Sequence, residues 1–307
     1  MPKLALKIDV DTLRGTQEGV PQLISVLKKY DAQATFLFSL GPDNTGRALR
    51  RVFRRGFLKK VFRTNVAANY GLKTLMYGVL IPGPDIGKRA PEPMRAARDA
   101  GFEVGIHTWD HVRWQDHVAG KDAAWTHREF DAAVGRFKEV FGAAPTTFGA
   151  AGWQMNFAAF ELESTHRMTY ASDTRGTHPF RPEMNGRIFA VPQLPTTLPT
   201  LDELVGVDGI TVDNVADHLL KLTAGHVPEH GHVFTLHAEL EGMALLPVFE
   251  KLLAGWKGQG YELVATRDIN ASLDHAKLPV HTVVMGEVPG RSGTLALQGP
   301  ACEVVKV

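Results

Sequence analysis

Residues 103–111 read EVGIHTWDH, and the fold turns on this stretch. An apolar run stops at His107, and His111 follows four positions later. A strand followed by a helical turn projects both imidazoles side by side from the end of a sheet. That placement suits a divalent metal, although two histidines at this spacing are equally compatible with ordinary hydrogen-bonded side chains. Working outward, strand-like and helix-like runs alternate along the chain. LALKI (4–8) precedes the amphipathic VPQLISVLKKY (20–30); ATFLFSL (34–40) precedes PEPMRAARDAG (91–101), which leads into FEVGI. AAWTHREFDAAVGRFKEVFG (123–142) precedes TTFG, and FAAFELESTH (157–166) precedes MTYAS. RIFAV, DNVADHLLKLTAG, HVFTL, LLPVFEKLLAGWKGQG and YELVA complete the series. Strands separated by helices of this length predict βαβ units around a parallel sheet. About seven such units suit a closed or nearly closed barrel. The expected class is therefore α/β, a single-domain distorted (β/α)7 barrel, with a doubly wound open sheet as the competing architecture.

The barrel is expected over residues 1–274, with an insertion at 43–90 that carries a basic amphipathic helical segment. Residues 275–307, rich in Gly, Val and Pro, read as a loosely attached tail. Hydrophobic residues make up 44% and charged residues 22% of the 307 positions, values that allow a sizeable core. The formal net charge is +1, so no whole-molecule field points to nucleic acid. A single cysteine, Cys302, rules out a disulfide framework within the chain and fits a reducing compartment. The start, MPKLALKIDVD, has no signal-peptide pattern, and no stretch reaches the roughly 20 apolar residues that cross a bilayer.

The insertion contains RALRRVFRRGFLKKVFR, with no acidic residue between Asp43 and Asp85. Its apolar residues recur at helical spacing, surrounded by cations. An amphipathic helix packed on the domain with a solvated basic face would explain this. The alternative favoured here is attachment to an anionic membrane surface by Arg50, Arg51, Phe53, Arg54, Arg55, Phe57, Lys59, Lys60 and Phe62. The aromatics lie on the apolar stripe and form no stacking platform for nucleic acid.

In a barrel, chemistry sits at the C-terminal ends of the strands. The first such end, IDVDT, offers Asp9 and Asp11; the third offers His107 and His111; a late one offers His237. Each has an ordinary explanation, an aspartate as a helix cap or a histidine as a hydrogen-bonded structural residue. Together, Asp11, His107 and His111 form a two-histidine, one-carboxylate set that leaves open positions on a divalent metal. Asp9 remains as a carboxylate suited to general-base work, and His237 can protonate a leaving group. Asp173 is expected to keep that imidazole charged and oriented. His127, His166, His218, His226, His230, His275 and His281 are given no role.

In order and spacing these residues resemble the polysaccharide deacetylase (NodB-like) family of metal-dependent amide hydrolases. Asp9 and Asp11 match its first motif, HTWDH its second, Asp173 its fourth-motif aspartate and the LHAE around His237 its late Leu-x-His element. The resemblance spans about residues 4 to 268 and implies one catalytic divalent ion, Zn, Co, Mn or Ni. One departure stands out. Where the family carries an arginine that orients the base, this chain reads FGAAGW, and Arg175 is the substitute considered. That departure, with YASDTRGTHPFRP, LHAELEG and the basic insertion, resembles a branch that removes the formyl group from an aminosugar carried on undecaprenyl phosphate in lipid A modification. The branch implies a peripheral enzyme on the cytoplasmic face of the inner membrane, with Trp153 walling the sugar pocket and Arg175, His178 and Arg181 meeting the phosphodiester. An N-acetyl sugar deacetylase and an inactive membrane-binding module are the alternatives.

Overall fold

The computed structural model describes residues 1–48, 72–225 and 227–302. Its central strand is β1 (Lys3–Val10). Alternate side chains of a strand point to opposite faces. Leu4, Leu6, Ile8 and Val10 pack into the large apolar cluster shared with the helices, whereas Ala5, Lys7 and Asp9 fall on the other face. β2 (Thr35–Ser39) repeats the pattern, with Phe36 and Phe38 toward the helices. So does β8 (His232–His237), with Phe234 and Leu236. Each fully buried Phe or Leu contributes roughly 1.5–3 kcal/mol, so the outward face of the sheet carries much of the driving force for folding. The inward face is free to hold polar groups.

β3 (Glu103–Thr108), β4 (Thr147–Phe148), β5 (Tyr170–Ala171) and β9 (Glu262–Val264) complete a seven-stranded parallel sheet in the order β5-β4-β3-β2-β1-β8, with β9 also paired to β1. The gap between β5 and β8 is bridged by an extended segment. Leu194 N donates to Ala171 O at 2.8 Å, and Thr197 N donates to Val233 O at 3.0 Å. The sheet thus curls into the distorted barrel that the alternating pattern predicts, and the open doubly wound alternative is set aside. α1 (Val20–Lys29), α2 (Pro91–Asp99), α3 (His111–His117), α4 (Ala123–Phe141), α5 (Phe157–Thr165), α6 (Val215–Thr223) and α7 (Leu246–Gly258) include the helices that cover it. α4 shows how local sequence sets its bounds. Asp122 caps its first turn by accepting from Trp125 N, and Gly142 ends it at φ 69°.

The C-terminal stretch corrects an expectation. Val280–Gly286 (β10) and Leu295–Ala301 (β11) form an antiparallel hairpin. β10 pairs with β6 (Arg181–Met184), which pairs with β7 (Arg187–Ile188), giving a second, four-stranded sheet. β-Branched residues at 280–284 favour a strand, but their partner lies about a hundred residues upstream and leaves no local sign.

The membrane-binding residues expected in the insertion, Arg50 to Phe62, lie outside the described residues. Both described flanks of the insertion return beside the C-terminal end of β1. Asp43 N donates to Pro84 O at 2.8 Å, Leu13 N donates to Asp43 Oδ2 at 2.9 Å, and Asn44 Nδ2 donates to Asp110 Oδ2 at 2.6 Å. Val79 and Leu80 on this segment are exposed at 49% and 73%. No helix among the described residues is long and apolar enough to cross a membrane.

Candidate active site

The register of the parallel sheet brings the polar strand ends together. Asp9 of β1 pairs directly with His237 of β8, and Ala238 N donates to Asp9 O. His107 ends the inward face of β3, and Asp110 caps α3 so that His111 opens it. His107 Nε2 lies 3.3 Å from Asp11 Oδ1, and His111 Nε2 lies 3.3 Å from Asp11 Oδ2. One ligand atom from each of Asp11, His107 and His111 falls within 4.8 Å of the others.

These residues fit a cation. His107 Nδ1 is 2.7 Å from Gly149 O, a carbonyl that can only accept, so the ring proton sits on Nδ1 and the Nε2 lone pair faces Asp11. Burial holds the imidazole down at about 4, neutral at physiological pH. Asp11 Oδ1 is buried without a hydrogen-bond donor. Burial, then the charges of Glu239 and Asp9, push its carboxyl well above the ordinary range. A lone pair and a carboxylate oxygen held this close are tolerable when a positive ion lies between them. His111, with 18% of its side chain exposed, opens the site to solvent.

Asp9 has a partner that the strand-end search missed. Lys7, two residues earlier on the same face of β1 and fully buried, places Nζ 3.3 Å from Asp9 Oδ2. Burial raises the Asp9 carboxyl, yet the charges of His107 and Lys7 more than offset it and hold it below its ordinary value. Lys7 is thus the lysine paired with this carboxylate inside the barrel. Room for the lysine comes from Gly149, where an added Cβ would lie 2.4 Å from Leu37 Cδ1 and 3.1 Å from Lys7 Cε. The loop beyond β1 is fixed by Glu239, also missed. Its Oε1 accepts from Asp11 N at 2.9 Å, Thr12 N at 2.7 Å and Thr12 Oγ1 at 2.8 Å.

A sequence model described as polysaccharide deacetylase matches residues 3–171, the part that holds Lys7, Asp9, Asp11, His107 and His111. The chain belongs to the polysaccharide deacetylase family. Over 298 residues it is 38% identical to a Shewanella sediminis protein named as a probable 4-deoxy-4-formamido-L-arabinose-phosphoundecaprenol deformylase (ArnD), covering 96% of this chain and 94% of the relative. A protein of the same name from Wigglesworthia glossinidia brevipalpis is 31% identical, with 92% and 98% covered. The chain is similar in fold to a crystal structure from Mycobacterium smegmatis assigned to the polysaccharide deacetylases. There the TM-score is 0.61 at 16% identity, with 94% of this chain and 96% of the other covered. Members of this family are generally metal-dependent, in keeping with the Asp11–His107–His111 cluster.

The remaining expected site residues fall elsewhere. Asp173 accepts from Ala150 N at 2.7 Å and from Gln193 Nε2 at 2.9 Å, so its hydrogen bonds brace the turn after β4 rather than the His237 imidazole. Arg175 does not meet Asp9. Its guanidinium donates to Glu203 Oε1, Leu198 O and Thr196 O. Trp153 is 2% exposed, its ring covered by cationic side chains and not open to a sugar. His178 lines a cavity of about 990 Å³ with His232 and Lys277. His232 begins β8 and His237 ends it, which puts that cavity at the opposite end of the barrel. Arg181 opens β6 in the second sheet, opposite Val280.

Proposed function

We propose that this chain removes the formyl group from 4-deoxy-4-formamido-L-arabinose carried on undecaprenyl phosphate, releasing formate and the 4-amino sugar. The product is the form used in lipid A modification and resistance to cationic antimicrobial peptides such as polymyxin. The observation that carries the reaction type is the convergence of Asp9, Asp11, His107, His111 and His237 on one solvent-open end of the barrel. The named relatives supply the substrate.

Asp11, His107 and His111 would hold one divalent ion, with Zn, Co, Mn and Ni all suited to two imidazoles and a carboxylate. Such an ion polarises a carbonyl oxygen and lowers the pKa of water bound to it. Asp9, kept anionic by Lys7, takes the proton of the attacking water. His237, across the β1–β8 pair, gives a proton to the departing sugar nitrogen. Glu241 Oε2 accepts from His237 N at 2.8 Å and fixes the backbone from which this imidazole projects.

The substrate is anchored in a bilayer, and the enzyme works at the cytoplasmic face of the inner membrane. Two features support a surface-seated enzyme. The basic run of the insertion complements anionic lipid, each cation being worth about 1 kcal/mol near such a surface. The exposed Val79 and Leu80 sit on a segment tied beside the catalytic end through Asp43 and Asn44.

The test is incubation of the purified protein with the formylated lipid-linked aminosugar, with and without chelator, followed by mass. Formate release that chelation abolishes and a divalent ion restores is the expected result. Acetate from an N-acetyl sugar, with no formate, would replace this reading with a deacetylase.

A further inference from the structure

The loop joining β10 and β11 reaches back to the wall of the catalytic end. Gln154 Nε2 donates to Thr294 O, which ties the loop to the turn that carries Trp153. Gly290, at φ +81°, passes so close to Glu203 that a Cβ would lie 2.1 Å from its carbonyl oxygen. This contact delivers Arg291, whose Cζ stands 4.5 Å from the Trp153 ring centroid. Arg175 Cζ stands 5.0 Å and Lys7 Nζ 5.2 Å from the same centroid. Arg291 and the Lys7 of the Lys7–Asp9 pair therefore contact the same indole.

Two arginines share one carboxylate beside this indole. Arg175 and Arg291 share one buried carboxylate oxygen, Glu203 Oε1, at 2.6 and 3.1 Å. Asp202, on the same turn, bonds the Thr200 hydroxyl, and its charge acts on Asp11 and Glu241. Arg175 spends its three nitrogens on Thr196 O, Glu203 and Leu198 O. Arg291 has only Nη1 committed among the described residues, and 13% of its side chain is exposed. A guanidinium presents paired donors that match the oxygens of a phosphate, and a partly buried cation that shares its carboxylate oxygen with a second arginine gains from an anionic ligand.

We propose that Arg291 binds the phosphate of the lipid-linked aminosugar, making the C-terminal hairpin part of the substrate site. The inference rests on the deformylase reading. In that substrate the phosphate lies one sugar ring from the scissile amide, and Arg291 contacts the same Trp153 ring as Lys7, the partner of Asp9.

The experiment compares two substrates, the 4-formamido sugar on a polyprenyl phosphate and the phosphate-free methyl glycoside of the same sugar. Arg291→Ala should raise KM for the phosphate substrate by about 10- to 100-fold, the range for one hydrogen bond to a charged group, with little change in kcat. Its kcat/KM on the methyl glycoside should match that of the unaltered protein. Arg291→Gln, which can still donate to Glu203 but carries no charge, should show the same selective loss and guards against a folding defect in the alanine variant. Equal losses on both substrates, or an unchanged KM for the phosphate substrate, would overturn the proposal. Release of formate from neither substrate by the unaltered protein would instead remove the deformylase reading, and this inference with it.

Discussion

Lys7 and Asp9 form an ion pair inside the barrel, with Nζ 3.3 Å from Oδ2 and both side chains almost wholly enclosed. A buried ammonium is costly unless paired, and here its pair is the carboxylate that the hydrolytic scheme uses as base. In the proposed scheme Lys7 stands in for the third-motif arginine that the family resemblance implies. The small side chains of FGAAGW leave the space into which it extends.

Lys7→Met should lower kcat by about 10- to 100-fold, part of the roughly 10²- to 10⁴-fold that a positioned base contributes. KM and bound metal should stay close to those of the unaltered protein, because Lys7 touches none of the three candidate ligands. Steady-state kinetics and metal analysis on the same preparation check this. A fall in metal content matching the fall in kcat would assign Lys7 a structural role.

Glu239 gathers three donors from Asp11 and Thr12, and Gly15 makes this close approach feasible. A Cβ at Gly15 would lie 2.0 Å from Glu239 Oε1. Gly15→Ala should displace the carboxylate and leave buried amides unsatisfied, at about 1–3 kcal/mol for each group. Thermal unfolding should come at lower temperature, and metal affinity should weaken as the Asp11 loop loses its anchor. A variant that melts and binds metal like the unaltered chain would show that Glu239 can be dispensed with.

Residues at strand ends were legible because parallel strands discharge their polar groups at one rim. Asp9, Asp11, His107 and His237 each close an apolar run, His111 follows His107 by one helical turn, and the fold brings all five together. Lys7 was legible in principle. LALKIDVD alternates strictly, so a lysine in phase with both aspartates shares their face, but a cation within an apolar strand reads as a solvent-facing residue. Arg291 left no such mark. Its place depends on β10 pairing with β6, a contact spanning about a hundred residues. Trp153 and Arg175 pack beside Lys7, but Glu203 and Arg291 occupy the faces they were expected to offer to substrate.

His178 and Arg181 should be dispensable for turnover. His178 contacts His281 and Gln298 of the C-terminal hairpin at the far end of the barrel, and Arg181 opens the second sheet. His178→Ala and Arg181→Ala should retain kcat and KM for the formylated substrate, measured by formate release. A selective rise in KM for either would return that residue to the substrate site.

Glu241 is enclosed behind His237, and burial pushes its carboxyl from 4.5 up to about 8. Its folded form therefore holds a proton that the unfolded chain releases near the ordinary value. The folded state binds the extra proton between these limits, so this group's contribution to stability is present below about 4.5 and is lost as pH rises through about 8. Glu241→Gln keeps an acceptor for His237 N and removes the ionisation. By pH 9 the variant should be more stable than the unaltered chain by roughly 5 kcal/mol, relative to their difference at acidic pH. Denaturant unfolding of both proteins across that range gives the comparison. Curves that run parallel from acid to alkali would mean that Glu241 is already ionised in the folded protein, leaving its charge beside the imidazole that must deliver the proton.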